Sequence, residues 1–255
     1  MSSRKTLVIL VAQDRELDRT LENLQENVLA PLDADLALCG TVGHSSAGVD
    51  FAHVWPFEEP EDWGREIRSQ GLSNDDLADF QALGPEFVAG TGEAPGSAAI
   101  VYFWRHKLGQ LIQPLLPQMS YEWFVITRSD MLWAAPFPPV ENLDPGRIYF
   151  LNGEHYGGVS DRFVLFPKRL AAEVFGLYSP LFDSPQATLS EIRRYRERQG
   201  KKFVKFNAEF YQRFVLDRAG LGRVGFRPGR FPGSNGGRQP LGGGRLVKPA
   251  ERRPH

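Results

Sequence analysis

A chain of 255 residues with 42% apolar and 24% charged side chains has an ordinary globular composition and enough apolar material for one sizeable core. Its formal charge of −1 hides an asymmetry: from Arg218 onward nine basic side chains stand against one acidic one, while the preceding body holds 21 basic and 30 acidic side chains. An acidic body argues against a nucleic-acid footprint, a lone Cys39 excludes an intrachain disulfide and predicts a reducing, cytoplasmic setting, and no apolar run approaches the roughly 18 to 20 residues of a membrane-crossing helix.

Residues 7–12 (LVILVA) form a continuous β-branched apolar run, the pattern of a strand buried on both faces of a parallel sheet. Leu17, Leu21, Leu24 and Val28 then recur at helical spacing until Pro31, and residues 35–39 predict a second strand. This β-α-β opening favours a doubly wound α/β sheet with right-handed crossovers. Residues 51–55 predict a strand and residues 74–83 a short helix, with little legible chemistry between 40 and 96. Residues 97–116 predict a helix with Ile100, Phe103, Trp104, Leu108, Leu111 and Leu115 on its apolar face; Arg105, His106 and Lys107 read as a solvated face. Strands follow over 121–127, 147–151 and 164–166, and helices over 168–177, 189–197 and 207–218. The sequence divides into a single domain, residues 1–228, and a Gly/Pro/Arg-rich tail, 229–255, predicted to be disordered.

Ligands of open α/β sheets bind at the carboxyl ends of the strands. Three polar groups fall there: Gln13-Asp14-Arg15, Arg128-Ser129-Asp130, and the glycine-rich loop leading to Asp161. The five histidines lack metal-ligand spacing. P-loop and dinucleotide fingerprints are missing after the first strand, as is a Gly-x-Ser-x-Gly elbow.

The strand closed by Arg-x-Asp, WFVITRSD (residues 123–130), resembles the Asp-x-Asp strand end of GT-A-fold glycosyltransferases, with arginine in the first acidic position. The WRHK helix, the GEHYGGVSDRF loop and NAEFYQRFVLDRAGLGRVGFRP are similar to segments of small glycosyltransferase-like proteins of bacteria, algae and large viruses. The resemblance implies a GT-A-like, Rossmann-related, mostly parallel sheet flanked by helices. It also implies transfer of a sugar from a nucleoside diphosphate donor to a glycan or lipid-linked hydroxyl acceptor, in polysaccharide or glycan synthesis. Carried over, it makes Asp161 the catalytic, acceptor-side carboxylate. Gln13, Arg15, Lys107, Arg128 and Asp130 fall on the donor side, with His155, Tyr156, Gly157 and Gly158 around the acceptor. Asp130 would hold a divalent cation, Mn²⁺ or Mg²⁺, or contact the donor ribose. Arginine in the first motif position offers a different route, direct bidentate neutralisation of phosphate. The basic tail allows peripheral contact with a membrane carrying a lipid-linked acceptor.

Plainer readings of the same residues stay open. Arg-Ser-Asp is also a turn with a local ion pair, Arg15 also a partner for Asp14 or Asp18, and Gly157-Gly158 also a tight turn with Ser160 or Asp161 capping a helix. The alternative function is a non-catalytic nucleotide-sugar or carbohydrate-binding protein on the same fold.

Overall fold

The apolar run at residues 7–12 is buried along its length because both faces of its strand are covered. In the computed structural model, which describes residues 5–14, 16–91, 96–152, 156–200 and 206–226, the chain order begins β1 (Thr6–Gln13), α1 (Leu17–Leu24, continued by a π turn Gln25–Leu29), β2 (Ala34–Thr41) and β3 (His53–Pro56). It continues with α2 (Trp63–Ser69), α3 (Asn74–Leu83), α4 (Ala98–Ile112), β4 (Trp123–Thr127), β5 (Ile148–Leu151) and β6 (Phe163–Pro167). The last described elements are α5 (Ala171–Gly176), α6 (Ser179–Asp183), α7 (Pro185–Gln199), α8 (Ala208–Arg218) and β7 (Arg223–Phe226). Arg15, His155 and the tail 229–255 lie outside the described residues.

The seven strands among the described residues make one α/β sheet in the order β3-β2-β1-β4-β6-β5-β7. It is mostly parallel: only β6 runs against its two neighbours, β4 and β5. Side chains alternate across the sheet. Leu7, Ile9 and Val11 join one core with Phe103 and Leu108 of α4, while Val8 and Leu10 join a second with Leu17, Trp133 and Phe137.

Two features of this plan position the site. First, because β6 is inverted, Phe163 at its start faces Thr127 at the end of β4, so the segment carrying Asp161 arrives at the edge where β1 and β4 finish. Second, the end of β1 bends out of extended geometry: Ala12 has φ 84, and its carbonyl would lie 1.6 Å from a Cβ on Gly40, its partner in β2. Only glycine fits there. A non-glycine residue at positive φ is backbone strain, and such strain gathers at functional sites.

Helix α4 corrects one expectation. Arg105 and His106 are 8% and 2% exposed, so neither belongs to a solvated face. His106 stacks on Phe182 at 4.4 Å and meets Gln110 at 2.9 Å. Arg105 falls in the row Val101, Leu108 and Ile112, the spacing of a helix face packed on the sheet.

Candidate functional site

Between α4 and the carboxyl ends of β1 and β4 lies a cleft of about 190 Å³. β1 contributes Ala12 and Gln13, and the end of β4 contributes Thr127 to Asp130. Helix α4 supplies Ser97 at its cap with Ile100, Trp104 and Arg105, and Asp161 and Glu59 complete the wall. Four of the residues expected at strand ends, Gln13, Arg128, Asp130 and Asp161, therefore meet in one place. Asp14 does not join them. Its carboxylate accepts from Gly43 N at 2.8 Å, Ser46 N at 2.9 Å and Ser46 Oγ at 2.7 Å, closing a turn at the end of β2.

Arg128 and Asp130 form a bidentate pair: Nε donates to Oδ1 at 2.8 Å and the guanidinium's NH2 donates to Oδ2 at 2.5 Å. Burial works against the Arg128 charge, but the hydrogen bonds and charge of Asp130, with the charge of Asp161, outweigh it and raise its pKa above the ordinary value. Between them Ser129 fixes the turn to both neighbours, donating from Oγ to the Gln13 carbonyl at 2.8 Å while its own carbonyl accepts from Thr20 Oγ1 at 2.5 Å. The local ion pair of the plainer reading is thus present, and it sits in the cleft wall.

The Asp161 segment is held by its backbone. Three successive carbonyls each accept from a side chain on a different element: Ser160 from Gln212 Nε2 of α8 at 3.0 Å, Asp161 from the Arg105 guanidinium of α4, and Arg162 from Thr127 Oγ1 of β4 at 3.1 Å. Gln212 is itself aligned by the Tyr178 hydroxyl, which donates to its Oε1 at 2.7 Å. None of these bonds uses the Asp161 carboxylate. That leaves the carboxylate for the cleft, on a frame fixed from three directions.

Two further charges crowd this end. Burial, and then the positive charge of Arg128, lowers the pKa of Arg162. Burial, and then the negative charge of Asp161, raises that of Glu209 on the first turn of α8. The Asp161 charge acts on Arg105, Arg128 and Glu209, while Arg128, Glu209 and Asp130 act on Arg162.

Other expected residues lie elsewhere. Lys107 is on α4 with its Nζ over the Phe57 ring at 6.0 Å, outside the cleft lining. Tyr156 is 60% exposed and, with Gly157, follows α8 rather than the cleft: the Tyr156 carbonyl accepts from Asn207 Nδ2 at 3.2 Å and that of Gly157 from Arg213 at 3.5 Å. Gly158 also answers to α8, because a Cβ there would sit 2.0 Å from the Glu209 carbonyl carbon. Its missing side chain lets the loop pack against the first turn of α8. Glu59, Arg162 and Glu209 were given no role in the sequence reading, and Arg105 was read as surface. For Arg105 a signal existed: a cation four residues after Val101 and three before Leu108 interrupts an apolar row.

The donor set does not resemble a cation cage. Asp130 gives both oxygens to Arg128, and among the described residues no group of three or more His, Cys, Asp or Glu side chains could hold a metal ion. None of the helices among those residues is long and apolar enough to cross a membrane.

No family model matches the sequence, and no curated protein does. Among solved structures the chain is similar to mouse xyloside xylosyltransferase 1 in its apo form, at 12% identity over 87% of this chain and 84% of that one, with a TM-score of 0.45.

Proposed function

We propose that the cleft is the reaction centre of a glycosyltransferase that moves a sugar from a nucleoside diphosphate donor to a hydroxyl acceptor. The observation that carries this reading is the convergence, at one strained sheet edge, of a backbone-anchored carboxylate, Asp161, with the arginines 105 and 128. Such a transfer requires a base for the acceptor hydroxyl and positive charge for the departing diphosphate. Asp161 takes the acceptor proton as the hydroxyl oxygen attacks the anomeric carbon and the bond to the diphosphate breaks. Arg128, oriented by Asp130, faces the charge that develops on the leaving group. Since Asp130 is committed to Arg128, that charge is assigned to arginine and no step is routed through a divalent cation. At about 190 Å³ the cleft is smaller than the ~300–1,000 Å³ that enclose a whole drug-sized ligand, so it takes the reacting half of such a donor.

A panel of nucleoside diphosphate sugars, tested by thermal denaturation in EDTA and in Mn²⁺, checks the donor class. A matching donor at ~100 times its Kd is expected to add about 2.7 kcal/mol in either condition. Stabilisation by no member of the panel speaks against the donor class; stabilisation only with Mn²⁺ returns Asp130 to a cation.

The Arg128–Asp130 clamp also favours a second reading, a sugar-nucleotide-binding protein without turnover, because it replaces the paired carboxylates of the motif it resembles. Hydrolysis or transfer of a bound donor separates the two.

A further inference from the structure

Arg105 carries a charge that has no ion pair among the described residues. Its side chain is 8% exposed. On one side it lines the cleft, and on the other it borders a cavity of about 20 Å³ walled by Phe150, Val164 and Phe175. Among the described residues its hydrogen bond goes to a neutral acceptor, the Asp161 carbonyl. That uses one of the five N–H donors of a guanidinium. Burial lowers the pKa of Arg105, and the Tyr178 and Asp161 side chains offset only part of that cost.

Arg128, which also lines the cleft, is answered by a bidentate carboxylate. Buried charges are ordinarily paired, since an uncompensated ion in a low-dielectric site is expensive. An interior cation bordering a ligand-sized opening is the reverse arrangement, and it makes sense when the counter-charge arrives with a ligand. The planar fork matches the geometry of an oxyanion.

We propose that Arg105 is the oxyanion-binding residue of the cleft and that it takes a phosphate group directly, without a bridging divalent cation. The phosphate assignment rests on the sugar-nucleotide reading above, whereas oxyanion binding by Arg105 does not. Arg105 then has two tasks: it holds the Asp161 carbonyl in place and receives the ligand's charge alongside it. Ligand charge and catalytic carboxylate are thereby set in register by one side chain.

The test is calorimetric titration of the full chain with inorganic pyrophosphate in EDTA, with glucuronate as the carboxylate probe. Wild type is expected to bind pyrophosphate, and a folded Arg105→Gln to bind it at least tenfold more weakly, because the guanidinium that receives the anion is gone. A purely structural Arg105 gives a lower melting temperature with the affinity unchanged. Should Arg105→Gln fail to fold, Arg105→Lys keeps a cation but not the fork. Nitrogen NMR of arginine side chains in wild type then reads the contact directly: pyrophosphate must shift the resonance that is missing in Arg105→Lys.

Unchanged affinity in either variant, an unmoved Arg105 resonance, or no pyrophosphate binding by wild type overturns the proposal. Binding of glucuronate but not pyrophosphate overturns the phosphate assignment. Arg105-dependent pyrophosphate binding with no response to any sugar nucleotide sinks the donor class and leaves this inference standing, and unchanged binding in Arg105→Gln beside normal sugar transfer does the reverse.

Discussion

Asp161→Asn is expected to lower sugar transfer by ~10²–10⁴-fold, the usual worth of general-base assistance, while donor affinity stays within a few-fold. The division follows from how the residue is held. The carbonyls of Ser160, Asp161 and Arg162 are fixed by Gln212, Arg105 and Thr127, so a change at the carboxylate leaves the backbone in place. The strand β6 follows the loop, so neither Ser160 nor Asp161 caps a helix as the plainer reading had it; asparagine matches aspartate in size, and a carboxylate with no chemical role would leave the variant nearly silent. Product formation and donor calorimetry on this one protein decide between the roles. Unchanged transfer removes Asp161 from the chemistry, and lost donor binding moves it to the nucleotide side.

Gly158→Ala is expected to cost at least ~3 kcal/mol, at or beyond the upper end of the usual range for overpacking. A Cβ at this position would lie 2.0 Å from both the carbonyl carbon and the oxygen of Glu209 and 2.3 Å from Phe210 N, all of them backbone atoms that no rotamer change can move. Relief requires the loop to lift from α8, which strains the Val159 N to Glu209 O bond of 2.8 Å and the carbonyls that position Asp161. In a chain of this size the loss corresponds to a drop of roughly 6–12 °C in melting temperature. The neighbouring Gly157→Ala is the control. Its Cβ meets nothing within 4 Å, and only its φ of +92 opposes the change, a cost of about 1–2 kcal/mol. Equal effects at the two positions would contradict the packing account.

The two positions show where the sequence was legible and where it was not. Local patterns carried well: LVILVA is β1, and the periodicity over residues 74–83 is α3, whose start is fixed by Ser73 and Asp76 exchanging hydrogen bonds. The polar strand ends at Gln13, Arg128 and Asp130 met in one cleft because parallel strands share an edge. Partners distant in the chain were hidden. Tyr156 to Gly158 read as a free ligand loop because the helix that claims them begins some fifty residues later. The direction of β6 is invisible in FVLFP, since an apolar run reads alike both ways, yet that inversion is what delivers Asp161. Arg105 was hidden by its type: arginine is so often solvated that a cation in an apolar row was read as surface.

The most direct measurement is release of nucleoside diphosphate from a panel of sugar nucleotides, in EDTA and with hydroxyl acceptors present, by wild type and by Ser97→Trp. Ser97 lines the cleft from its exposed rim, so an indole there fills the opening without disturbing either core. Turnover of at least one donor by wild type, lost in Ser97→Trp with the fold intact, is the expected result. A donor that binds wild type tightly and is never turned over, or one turned over equally well with the cleft filled, would contradict the assignment of glycosyl transfer to this site.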